Sequence, residues 1–139
     1  MTRYLLDTSA LLTLRDNGPG AEQVAALLYE GQDGKHECLG CFITLMEIFD
    51  RVWKDENEVA GRLAYEQARA LPIRWLHEEQ ALLEKAAEVK ATQPLSVADA
   101  WIVACALLQE AILVHKDPEL VPVACAQVVL PLKISQNSD

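Results

Sequence analysis

The chain has 139 residues, 51% of them hydrophobic, a length and composition that suit one domain with a buried core. Its 21 acidic and 12 basic residues give a formal net charge of -9, which excludes nucleic-acid binding through a broad positive surface. A local basic strip is still compatible with that charge, and Arg51, Lys54, Arg62 and Arg69 fall at roughly helical spacings; a solvated face of mixed charge is the plainer reading of the four.

In chain order, Tyr4–Leu6 reads as a short strand and Ala10–Leu14 as the opening of a helix behind it. Ala21–Glu30, after Gly18-Pro19-Gly20, reads as a second helix, and a short apolar run follows at Cys38–Phe42. Leu45, Met46, Ile48, Phe49, Val52 and Trp53 form a helical stripe rather than a strand alternation. A further helix covers Glu58–Ala70 and is ended by Pro72. Ile73–Leu76 reads as a strand, Glu79–Thr92 as a helix and Ser96–Gln109 as an apolar helix, with strands at Ala111–Val114 and Val128–Leu132.

Strands separated by helices require crossover connections, hence an α/β fold with a mainly parallel sheet and helices on both faces. Residues 1–134 are expected to form a single domain, and the polar residues 135–139, SQNSD, a disordered tail. Asp7 interrupts the one apolar stretch at the N-terminus, so no signal peptide is expected. The longest uncharged apolar run, Ala100–Leu108, is far short of the roughly 20 residues that cross a bilayer, so a cytoplasmic location away from membranes is expected.

The four cysteines include a Cys-x-x-Cys pair, Cys38 and Cys41. A structural zinc site wants a second close pair, which Cys105 and Cys125 do not make, so reduced, partly buried thiols are expected.

The acids are more informative. In a parallel sheet, ligands bind at the carboxyl ends of the strands. Asp7 follows the first strand directly, and Asp117 follows Ala111–Val114 closely. Asp99 falls at the third position of a helix that is apolar nearly all round and is capped by Ser96. There it can serve as a helix-head acid, since Ser-x-x-Asp approximates a capping box. It can equally serve as a ligand, because a carboxylate at a buried helix end needs a partner. Glu47 sits beside Asp50, Arg51 and Lys54, where a solvated face is the plain reading. Two carboxylates about 5 Å apart repel by roughly 3 kcal/mol at an effective dielectric near 20, so a cluster of four calls for cations. Mg2+ and Mn2+ accept all-oxygen ligands and drive phosphodiester hydrolysis.

Four segments, YLLDTSALL, TLMEI, LSVADAWIVACAL and ILVHKDPEL, together resemble the PIN domain, and in particular the small VapC-type toxins of toxin–antitoxin pairs. The resemblance covers nearly the whole chain and implies a PIN-like three-layer sandwich. It implies that Asp7, Glu47, Asp99 and Asp117 are the metal-binding, catalytic acids of a Mg2+- or Mn2+-dependent endoribonuclease. Asp7, Glu47 and Asp99 would hold the main ion, and Asp117 a second ion or the water. Ser9, and less directly Thr8, would support the acids. It also implies an RNA substrate, a small antitoxin partner and a homodimer. Arg51, Lys54 and Lys116 are the candidate RNA contacts.

One position departs from the pattern. The family commonly has Thr-x-Asp in the last motif, and here His115-Lys116-Asp117 stands instead, so the hydroxyl's hydrogen bond must be made differently or the acid held less firmly. Two other readings compete with the toxin: an inactive PIN-like interaction module whose acids are caps and solvated charges, and an aspartyl-nucleophile phosphatase. The phosphatase usually carries a second aspartate two residues after the first, where this chain has Ser9. Ile48, Phe49, Val52 and Trp53 suit either a core or a protein-binding groove.

Overall fold

The computed structural model describes residues 1–132; the expected tail at 135–139 lies outside the described residues. Five strands, β1 (Arg3–Leu6), β2 (Glu37–Cys41), β3 (Arg74–Leu76), β4 (Ile112–His115) and β5 (Gln127–Val129), form one sheet in the order β3-β2-β1-β4-β5. All four pairings are parallel. The helices are α1 (Thr8–Asp16), α2 (Ala21–Gln32), α3 (Phe42–Asp55), α4 (Glu58–Arg69), α5 (Gln80–Thr92) and α6 (Val97–Leu108).

Strand alternation divides the core in two. Leu5, Leu39 and Leu113 face α5 and α6, packing against Leu82, Ile102 and Cys105. Their neighbours Leu6, Cys38 and Val114 face the other way, toward Leu11, Val24 and Ile48 of α1, α2 and α3. This is the three-layer α/β arrangement that the four motifs imply. It also places Cys38 and Cys41 on opposite faces of the sheet, so the Cys-x-x-Cys pair does not converge.

α6 is apolar nearly all round because it is enclosed: Ala100, Ile102, Val103, Ala104, Cys105 and Ala106 are all buried. Glycine has a packing reason at two places. A Cβ on Gly40 would lie 2.4 Å from Cζ3 of Trp75, so the bare β2 backbone lets that indole lie across it. A Cβ on Gly61 would lie 2.9 Å from the Phe49 carbonyl, which sets the close approach of α4 to α3.

The elements follow the sequence reading with small shifts. The last strand begins and ends earlier than the expected Val128–Leu132, because Gln127 pairs with Leu113 and Pro131 has no N–H to extend the ladder. A 3-10 turn, Pro118–Leu120, follows β4 and was not expected. Its proline fixes the backbone just after Asp117, with consequences at the site.

Among the described residues no helix is long and apolar enough to cross a membrane.

Candidate metal centre

The chain leaves β1 toward one edge of the sheet and returns to the other side of β1 with β4, so the carboxyl ends of these neighbours form the switch point of the sheet. Asp7 stands there as the N-cap of α1, and is only 3% exposed. Its Oδ1 accepts hydrogen bonds from the Ala10 N–H at 2.9 Å and the Ser9 hydroxyl at 2.7 Å. The Ser9 oxygen in turn accepts the Lys116 N–H at 2.8 Å, so one side chain ties Asp7 to the chain leaving β4. Burial pushes the Asp7 carboxyl up to about 7 against the effect of these hydrogen bonds, and the charges of Asp99 and Asp117 push the same way.

Asp99 approaches from the end of α6. Ser96 caps the helix by accepting the Asp99 N–H at 3.1 Å, as the sequence suggested, yet this does not account for the carboxylate. Burial, followed by the charges of Asp117, Glu47 and Glu119, pushes that carboxyl up to about 6. The cap and the ligand readings therefore describe two parts of one residue: its N–H belongs to the helix, its carboxylate to the cluster.

Asp117 caps the turn after β4 by accepting the Glu119 N–H at 2.9 Å. Carboxylate oxygens of Asp99, Asp117 and Glu119 all lie within 4.8 Å of one another. Glu119 was absent from the expected set. The signal for it was Asp-Pro-Glu after a strand: Asp117 caps, Pro118 turns the chain, and Glu119 comes round beside the aspartate.

Glu47 lies in mid-helix on α3, half-buried and turned toward this cluster rather than on a solvated face. Its Oε1 accepts from the Thr8 hydroxyl, and Thr8 and Thr44 oxygens are 3.0 Å apart. Thr8 has one hydroxyl proton, so with that proton on Glu47, the buried Thr44 donates to Thr8. Asp7 and Glu47 thus each have an oxygen committed to a supporting hydroxyl and stand outside the tight trio. The resemblance instead grouped Asp7, Glu47 and Asp99.

The candidate RNA contacts do not converge. Arg51 and Lys54 are exposed on α3, where Lys54 pairs with Asp50 at 3.2 Å. Lys116 borders the site, but its ammonium donates to the Pro19 carbonyl and ties β4 to the turn before α2. His115 is fully buried, with both ring nitrogens in hydrogen-bond contact, so neither is free to reach a metal ion.

The donors around the cleft are all oxygens, the type Mg2+ and Mn2+ prefer, and the charges acting on Asp7 and Asp99 come from other carboxylates. A divalent ion fits this donor set and would relieve the repulsion within it.

A separate surface lies on α3 and α4. Ile48 and Val52 are core, 3% and 2% exposed, whereas Phe49 and the 47% exposed Trp53 line an open groove with Phe42, Met46 and Tyr65. The Arg62 guanidinium lies 5.1 Å from the Phe49 ring centroid. The apolar stripe is thus part core and part open groove.

A parallel α/β sheet with a carboxylate cluster at its switch point defines the class of acidic-site α/β proteins. The PIN domain family model matches residues 4–124, and the chain belongs to that family. Three solved structures show the same fold. VapBC2 from Rickettsia felis, bound to a promoter DNA fragment, has a TM-score of 0.75 at 12% identity, covering 94% of this chain and 100% of that one. DNA-bound VapBC from Salmonella typhimurium has 0.74 at 15%, covering 93% and 98%. The Mycobacterium tuberculosis sarcin–ricin loop cleaving toxin VapC20 has 0.71 at 17%, covering 92% and 99%. A search of curated protein sequences finds no match.

Proposed function

We propose that this protein is a Mg2+- or Mn2+-dependent endoribonuclease, the toxin of a cytoplasmic toxin–antitoxin pair. The observation that carries the proposal is the convergence of Asp7, Glu47, Asp99, Asp117 and Glu119 at the sheet's switch point, with burial and mutual repulsion raising two of their carboxyls. Such a set is costly without a cation. Family membership and solved neighbours that are VapBC complexes or a sarcin–ricin loop cleaving toxin support the same reading.

Asp99, Asp117 and Glu119 would hold the ion most directly, with Asp7 and Glu47 completing the acidic wall. A divalent ion held there would supply Lewis-acid activation of water and charge neutralisation, the chemistry that phosphodiester hydrolysis needs. Ser9 and Thr8 each fix one carboxylate oxygen, restraining how Asp7 and Glu47 are presented to the cleft. Asp7, held partly protonated near neutral pH by its surroundings, would release its proton as the cation arrives.

Arg51, Lys54 and Lys116 are the candidate contacts for RNA phosphates; Lys54 and Lys116 must exchange their present partners to serve. The groove of Phe49 and Trp53 is where a short amphipathic antitoxin segment would seat its apolar side chains. A homodimer belongs to the same proposal.

The test is cleavage of a mixed RNA pool with Mn2+, with chelator, and by an Asp99→Asn protein that remains folded. Cleavage in the first reaction alone supports the proposal. Cleavage in all three, or in none, contradicts it, and the second outcome would favour an interaction module without activity.

A further inference from the structure

Asp7, Glu47 and Asp99 are held by a helix cap, a helix interior and a helix end, whereas Asp117 lies in the irregular chain beyond β4. Its own carboxylate caps the turn that follows, so its backbone must be held by something else. The Asp117 N–H donates to Nδ1 of His115 at 3.0 Å, and Nε2 of His115 lies 2.8 Å from Oε1 of Gln127.

The remaining contacts decide which nitrogen carries the proton. The Gln127 amide nitrogen lies 2.9 Å from the Leu120 carbonyl and 2.8 Å from the Val123 carbonyl. Carbonyls only accept, so the NH2 group of Gln127 faces them and its oxygen faces the imidazole. Nε2 of His115 must then be the donor, which leaves Nδ1 with the lone pair that receives the Asp117 N–H. Each group is matched, and the imidazole is fully buried where a mismatch would be costly.

The chain of contacts therefore runs from the backbone of Asp117, through a neutral imidazole of fixed tautomer, to a glutamine that also holds the residues after Glu119. One end of the turn that presents Asp117 and Glu119 is tied to His115 of β4 and the other to Gln127 of β5, and these two side chains meet each other. This explains a polar residue at the start of β5, and a buried histidine where a small hydroxyl is usual in the resemblance.

We propose that His115 and Gln127 are positioning residues for the metal site, fixing Asp117 and Glu119 through the backbone of the Pro118–Leu120 turn. The proposal rests on the metal-site reading above. It requires a hydrogen-bond acceptor at the Nδ1 position beside Asp117, not merely a side chain that fills the space.

Two substitutions separate these requirements. His115→Asn places an amide oxygen near the Nδ1 position; His115→Gln retains size and polarity but carries its amide toward Gln127 instead. Mn2+ affinity is measured by calorimetry on wild type, both variants and Asp99→Asn, and 15N NMR of the histidine ring gives the tautomer in wild type. The expected result is an Nε2–H tautomer, Mn2+ affinity within about threefold of wild type for His115→Asn, and a loss of about tenfold or more for His115→Gln. Equal affinities for the two variants, or an Nδ1–H tautomer, overturn the proposal even where Asp99→Asn confirms the metal site. Wild type that binds no Mn2+ overturns the metal-site reading and this proposal with it. Should neither variant fold, the tautomer of the wild-type protein decides the matter.

Discussion

The hydroxyl of Ser9 stands between the two central strands, giving its proton to Asp7 at 2.7 Å and accepting the Lys116 N–H at 2.8 Å. One small side chain thereby holds the ends of β1 and β4 in register at the point where the acids meet. Ser9→Ala leaves a partly buried N–H without its acceptor, at a cost of about 1–3 kcal/mol, and removes the hydrogen bond that favours ionised Asp7. We expect a lower melting temperature and weaker Mn2+ binding, whereas Ser9→Thr, which keeps the hydroxyl, retains most of both. Chemical denaturation and calorimetry on the two variants check this.

Asp7 opposes stability in the absence of metal. Its carboxyl is raised from 3.8 to about 7, so between those values the folded state binds more protons than the unfolded state, and stability falls as pH rises. The destabilisation is absent below about pH 4 and complete above about pH 7, with a ceiling of about 4 kcal/mol. Asp99, raised to about 6, acts in the same direction over a narrower window. Asp7→Asn can still accept from Ser9 and Ala10 but carries no charge. Without metal it should be more stable than wild type at pH 8, with the difference shrinking toward pH 4. Urea denaturation across this range reads the difference directly; a wild-type advantage at pH 8 would contradict the account.

The fold makes a prediction independent of the site. Gly40→Ala puts a methyl group 2.4 Å from the Trp75 ring, and the clash is with a packed side chain whose backbone is paired to β2. A loss of about 1–3 kcal/mol is expected, with Mn2+ affinity unchanged because β3 lies two strands from the cleft's central strand.

The groove on α3 and α4 is lined by none of the five acids, so the proposed partner binding and the proposed cleavage can be tested apart. Trp53→Glu places a charge on an exposed apolar surface without touching the acids, so RNA cleavage should persist. If the groove receives the antitoxin, co-expressed antitoxin should no longer suppress that cleavage. Full suppression of the variant would remove the groove from the interaction.

Asp7, Asp99 and Asp117 were legible in the sequence because each stands where an element ends, and ends can be read from capping residues and from the change of apolar pattern. Glu47 was not legible in that way. It sits in the middle of a helix whose neighbours Asp50, Arg51 and Lys54 are charged, and only the resemblance singled it out; that it turns inward depends on Thr8 of another helix. Glu119 went unnoticed because its place depends on a three-residue turn, a tertiary consequence of Pro118 rather than a periodic pattern. The start of β5 was missed for a related reason: Gln127 looks like a loop residue until its hydrogen bonds to His115 and to the carbonyls of Leu120 and Val123 are known.

The central claim is that the acids form one cation site, and thermal unfolding with and without Mn2+ tests it most directly. Wild type and Asp99→Asn are melted at pH 7.5 or so, with metal at about 100 times its dissociation constant, where binding to the folded state alone should raise the melting temperature by about 5–10 °C. The account predicts that rise in wild type and its absence in Asp99→Asn. No rise in wild type, or an equal rise in both proteins, would contradict it.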